Sequence, residues 1–131
     1  MKFKTELSGF QKILQKTLPA IPRKSTLPVL EHLNFSLEEG KLKIIATDQD
    51  ITIMSHINVE EAEDGKILVP GRKLNDIVKN YQSSGYIEFF ADPETFDIEL
   101  NIQKGKYKLK GMDPDEYLSL PELFESEKPE I

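Results

Sequence analysis

The 131-residue chain runs through the same order of elements twice. A short alternating segment, an amphipathic helix and three further alternating segments occupy residues 1 to about 60, and the order recurs from about 65 to 120. In the first half, Lys2 to Glu6 alternates as a strand. Leu7, Phe10, Ile13, Leu14, Thr17 and Leu18 then fall on one face of a helix, with Ser8 as candidate N-cap. Pro19 and Pro22 cannot continue it, so it ends near Thr17 or Leu18. Leu33, Phe35 and Leu37 mark the next strand, which turns at Glu38-Glu39-Gly40-Lys41 into Lys41 to Ala46. Ile51, Ile53, Ser55 and Ile57 alternate along a third, and residues 58–65 read as an acidic loop.

The second half opens with Lys66 to Val69 and breaks at Pro70-Gly71. A helix is predicted from Arg72 to Gln82, with Leu74, Ile77, Val78 and Tyr81 inward, stopped by Ser83-Ser84-Gly85. Tyr86 to Ala91, Thr95 to Gln103 and Lys106 to Lys110 are the last three strands. Two such β-α-β-β-β units are too small to bury their faces separately and must share one core. The expected fold class is α+β, with two antiparallel four-stranded sheets and both helices on one side.

Charge is segregated along this pattern. The chain holds 23 acids against 17 bases, net −6, yet residues 7–30 contain no acid at all. The two predicted helices and the loop after the first carry Lys12, Lys16, Arg23, Lys24, Arg72, Lys73 and Lys79 against Asp76 alone. The net charge argues against a generic nucleic-acid binder. The distribution argues for one, because the potential of a single face decides binding. Lysines on a helix face contact phosphates without reading sequence. The plain alternative is a set of solvated lysines, the usual state of that residue.

Other chemistry finds little support. With no cysteine, disulfides and thiolate catalysis are excluded, and a reducing cytoplasm is the expected compartment. No apolar run approaches a membrane span, and MKFKTEL passes straight into patterned sequence. Asp48 and Asp50 could serve a small metal-dependent enzyme, but a tight connection between strands favours Asp for its turn hydrogen bonds. His32 and His56 lack a third ligand. Tyr107 suits an inward or interface position better than a stacking platform. A protein-interaction module with open sheet edges is a further alternative.

Five motifs in order carry a resemblance. They are the opening MKF, Ser25-Thr26-Leu27-Pro28-Val29-Leu30, Ala46-Thr47-Asp48 with Asp50, Val69-Pro70-Gly71-Arg72-Lys73, and Met112 to Leu120 ending in Pro121. Together they resemble the first domain of the bacterial DNA polymerase III beta subunit, the sliding clamp. That family implies a non-catalytic ring of two chains around duplex DNA, helices lining the hole and sheets forming the wall, with the replicative polymerase and the clamp loader as partners. It implies no cofactor, no metal, no membrane and no small-molecule substrate. By resemblance Lys24, with Arg23 beside it, is the DNA-contacting base before Thr26-Leu27-Pro28, and Lys104, Lys106, Tyr107 and Leu109, with Lys73 nearby, lie at the seam between chains. Residues 1–122 are then expected to form one domain and 123–131 to begin a linker, the second and third domains being absent from this sequence.

Overall fold

The computed structural model describes residues 1–22, 25, 27–48, 50–82 and 84–119. The strands are β1 (Lys2–Glu6), β2 (His32–Glu38), β3 (Lys41–Thr47), β4 (Thr52–Asn58), β5 (Glu60–Glu63), β6 (Gly65–Pro70), β7 (Tyr86–Ala91), β8 (Asp97–Ile102) and β9 (Gly105–Lys110). The helices are α1 (Leu7–Thr17) and α2 (Gly71–Val78), with short 3-10 turns at 18–20, 28–31 and 114–119.

Two antiparallel sheets result, in the orders β5-β1-β7-β8-β9 and β4-β3-β2-β6. Each repeat lends its opening strand to the other repeat's meander. β1 pairs with β7, Phe3 opposite Phe89, and β6 pairs with β2, Leu33 opposite Val69. The halves are therefore interlocked.

One sheet has five strands where four were expected. The acidic stretch after β4 continues as extended chain. Val59 N–H donates to Gly40 O at 2.8 Å, and β5 then crosses to the other sheet to cover the free side of β1. Lys2 and Lys4 stand in register with Glu63 and Glu60, a cross-strand charge match that favours the pairing. Glu61, at φ 49°, takes up the irregularity between the two registers.

α1 ends at Thr17 as expected, but its start and the end of α2 differ from expectation. β1 runs directly into α1, and Glu6, not Ser8, is the cap residue, without a side-chain capping bond. Leu7 N–H instead donates to Gly85 O at 2.9 Å, which supplies an acceptor from the other repeat. α2 stops at Val78, short of Gln82, in a tighter turn where Tyr81 N–H reaches Val78 O.

The core lies between the sheets and α1. Alternate residues of every central strand point into it, among them Phe35, Ile44, Ile87 and Leu100, and α1 adds Leu7, Phe10, Ile13 and Leu14. Four phenylalanines join the layers. Phe3 stacks on Phe89 at 4.8 Å, Phe89 on Phe35 of the opposite sheet at 5.4 Å, and Phe10 of α1 meets Phe35 edge-on at 6.3 Å. A smaller cluster of Val29, Leu30, Ile45, Leu68 and Tyr117 closes the outer face of the four-stranded sheet. α2 seats closely because its first residue is Gly71. A Cβ there would collide with Ile21 Cδ1 and crowd Leu33 Cγ at 3.2 Å.

Phe89 touches both sheets, so truncation leaves a void that neither can collapse into alone. Phe89→Ala is expected to cost about 3–5 kcal/mol in urea unfolding. A loss below about 1 kcal/mol would show that the aromatic cluster does not join the layers.

Candidate nucleic-acid interface

The two helices form one layer, and Gln11 fastens them. Its side-chain amide donates to Val78 O at 2.8 Å and Tyr81 O at 3.1 Å, satisfying carbonyls at the end of α2. The helical period places Gln11 off the face that Phe10, Ile13 and Leu14 share. It is half-buried, and the only sign of its role was an amide among lysines.

Apolar spacing fixes what α1 leaves in water. With Phe10, Ile13, Leu14 and Thr17 turned inward, Lys12, Gln15 and Lys16 are exposed. Thr17 is sealed by its own hydroxyl bonding Ile13 O at 3.0 Å. α2 exposes Lys73, Asp76 and Lys79. Lys79 pairs with Asp76 at 3.2 Å, an exposed contact of little stabilising value that still offsets the charge locally. Lys12, Lys16 and Lys73 have no ion pair among the described residues.

Arg72 has a different part. Its Nη2 donates to Ile21 O at 2.8 Å, and its Nε is buried. The guanidinium thus holds the backbone just before Pro22, at the entry to the segment carrying Arg23 and Lys24. Those two residues lie outside the described residues, as does the stretch 123–131.

Lys73 opens onto a cleft of about 470 Å³ between the start of α2 and β9, with His32, Arg72, Lys108 and Lys110 also on its walls and Glu31 as its one acid. The structure so brings Lys73 to the strand expected at the seam. β9 is the edge of its sheet. Lys104 and Lys106 are exposed, while Tyr107 and Leu109 are half-buried. The Tyr107 hydroxyl bonds that of Tyr81, ring against ring edge-on at 6.3 Å, and this bond raises the pKa of Tyr81. Gly105 leaves room for the pair, since a Cβ there would strike Tyr81 Oη. Lys108 and Lys110, which sequence reading assigned no role, share this edge.

Asp48 builds its own turn. Oδ1 accepts from the N–H groups of Asp50 at 2.9 Å and Ile51 at 2.8 Å, and these bonds hold its carboxyl below the usual range. Among the described residues no group of three His, Asp or Glu side chains is arranged to hold a metal, and no helix is long and apolar enough to cross a membrane.

Residues 1–121 match the sequence model of the DNA polymerase III beta subunit, N-terminal domain. The chain belongs to that family. It is 30% identical to the beta sliding clamp of Staphylococcus epidermidis over 131 residues, covering 94% of this chain and 34% of that protein. It is 32% identical to that of Vibrio cholerae over 99 residues, 75% of this chain and 27% of that one. The chain thus spans about a third of the length of these relatives. Its fold superposes on the DNA polymerase III subunit beta of Pseudomonas aeruginosa with TM-score 0.82 at 26% identity, over 88% of this chain and 31% of the other. The Helicobacter pylori beta clamp, solved with a DNA ligase peptide, shares the fold at TM-score 0.81 and 21% identity, over 89% of this chain and 32% of that one.

Two measurements check the local geometry. Gln11→Ala strands the carbonyls of Val78 and Tyr81 and is expected to lower stability by about 1–2 kcal/mol; no change would show that water replaces the amide freely. His32 Nδ1 lies 2.9 Å from Pro28 O, but burial dominates and pushes its pKa below the ordinary histidine value of about 6.5. The unfolded chain then takes up the proton first. The contribution of His32 to stability is complete above about pH 6.5 and declines as pH falls through the lower folded value. An NMR titration of His32 giving a midpoint at or above 6.5 contradicts this.

Proposed function

We propose that this chain is the DNA-tracking first domain of a bacterial sliding clamp. It has no reaction of its own. As part of a closed ring of two chains it surrounds duplex DNA, tethers the replicative polymerase, and is opened and closed by a clamp loader, in the cytoplasm. Residues 1–122 form the domain and 123–131 lead toward a second.

One observation carries this reading. In a family whose relatives are called sliding clamps, the helix layer exposes Lys12 and Lys16 on a helix with no acid, while acids crowd the sheets and turns. A part that must slide needs contacts to phosphate that are weak, blind to sequence and easily screened. Lys12, Lys16, Lys79, Arg23 and Lys24 provide them, while Arg72 is engaged by the carbonyl of Ile21. Lys73 belongs with the seam, where Lys104, Lys106, Tyr107 and Leu109 meet the neighbouring chain. Polymerase and loader bind to parts of the ring outside these 131 residues. The Asp48 turn supports no rival catalytic reading, since its carboxylate is engaged by its own backbone.

Duplex-DNA affinity measured against salt tests the proposal. With about three phosphates neutralised, log affinity should fall with log salt at a slope near −3 and be independent of sequence. Lys12→Ala and Lys16→Ala should each reduce the slope by about one. An unchanged slope in the double variant would remove α1 from the interface.

A further inference from the structure

β7 buries Ile87, Phe89 and Ala91 in the core and turns Tyr86, Glu88 and Phe90 outward. Phe90 stands on the outer face of the five-stranded sheet with 45% of its surface in water. Tyr86, at the other end of the strand, has the ammonium group of Lys4 over its ring at 4.9 Å. Phe90 has neither a cation nor another ring against it among the described residues. Two shallow hollows meet at it, one of about 140 Å³ toward Glu88 and one of about 200 Å³ toward Asp97. Phe90 and Glu99 line both.

The hollows are acidic on balance. Glu61, Glu88, Asp92, Asp97 and Glu99 line them against Lys2, Lys4 and Lys108. Of these carboxylates only Asp97 closes an ion pair among the described residues, with Lys110 at 3.0 Å. Lys4 stands in register with Glu88 and Lys108 with Glu99, yet neither pair closes. Glu99 is half-buried and lies directly across from Phe90. An open aromatic face beside two unpaired carboxylates suits one chemical group above others. A guanidinium is planar, stacks on a ring and donates two parallel hydrogen bonds to a carboxylate. An ammonium is compact and strongly hydrated and does neither as well. Phosphates are repelled by the acids. This chain has two arginines, Arg23 and Arg72, and Arg72 is bound to Ile21 O, so the favoured source of the guanidinium is a different protein.

We propose that the outer face of the five-stranded sheet docks an arginine-bearing, basic segment of another protein, with the guanidinium on the Phe90 ring and within reach of Glu88 and Glu99. The face turns away from the core and uses neither the helix layer nor the hydrogen-bonding edge of β9. The inference therefore needs neither DNA nor a closed ring.

The test is an NMR titration of the isotope-labelled 131-residue chain at about 0.05 M salt. The probes are three short peptides, identical except that one carries two arginines, one two lysines and one two glutamates. The arginine peptide should shift the amide signals of Glu88, Phe90 and Glu99 with a Kd of about 1 mM or tighter. The lysine peptide should bind about threefold or more weakly, and the glutamate peptide should not bind. Phe90→Leu keeps the apolar bulk and removes the ring, so it should erase the preference for arginine over lysine. Glu99→Gln should weaken the arginine peptide about threefold or more. Unchanged core signals confirm that each variant is folded. Should Phe90→Leu fail to fold, Glu88→Gln and Glu99→Gln, both isosteric, decide alone. No shift at these three amides up to about 10 mM arginine peptide overturns the inference. Equal binding of the arginine and lysine peptides also overturns it and leaves only diffuse charge. Shifts at Phe90 from a single-stranded oligonucleotide in place of the peptide overturn it in favour of nucleic acid. Self-association of the chain that Arg23→Lys abolishes overturns it in favour of a second copy.

Discussion

The exchange of opening strands between the two repeats is the constraint on which the structure depends. β1 pairs on one side with β7 of the second repeat and on the other with β5, and β6 pairs with β2 of the first repeat. Each half's three-stranded meander therefore gains a strand from the other half. The phenylalanine cluster follows from this exchange, because β1 carries Phe3 beside Phe89 and within reach of Phe10. Folding must therefore bring distant residues together before either sheet is closed, a topology rich in non-local pairing.

That arrangement leaves the two helices on one layer and determines what the surface can do. The sheets take up the apolar faces of α1 and α2, and Gln11 takes up the end of α2. What remains in water is the polar face of α1, which has no carboxylate. The acids are displaced to sheet faces, turns and the β5 edge. A net negative protein with a basic helix layer favours a polyanion on that layer, and weak contact there permits movement along it. The same logic separates Arg72 from the other cations. It sits beside Lys73 in sequence, but its hydrogen bond to Ile21 O gives it a structural part in holding Ile21 against the start of α2.

The strands and helices were legible because Phe35, Ile44, Leu100 and their alternating neighbours obey simple periods, and Pro19, Pro22 and Gly40 punctuate them. The strand exchange was not legible, since alternation tells which face is buried and not which strand lies alongside. β5 was missed for a related reason. Glu-Glu-Ala-Glu has poor strand propensity, and only the open side of β1 with Lys2 and Lys4 makes it a strand. The end of α2 was misplaced because its last carbonyls are satisfied by Gln11, sixty-seven positions from Val78. Of the site, the exposed lysines of α1 could be read directly from the helical period. The hydrogen bond of Arg72 to Ile21 and the acidic setting of Phe90 depend on tertiary neighbours that no local pattern encodes.

The central claim is that the helix layer, and no other face, meets duplex DNA. The sequence has no cysteine, so a single introduced thiol marks one place unambiguously. Lys16→Cys on α1 and Lys43→Cys on the exposed outer face of β3 would each be linked to a short photoreactive group on the native protein and irradiated with duplex DNA at low salt. Cross-linking from position 16 with little from position 43 is the predicted result. Equal yields from both, or a higher yield from position 43, would contradict the account.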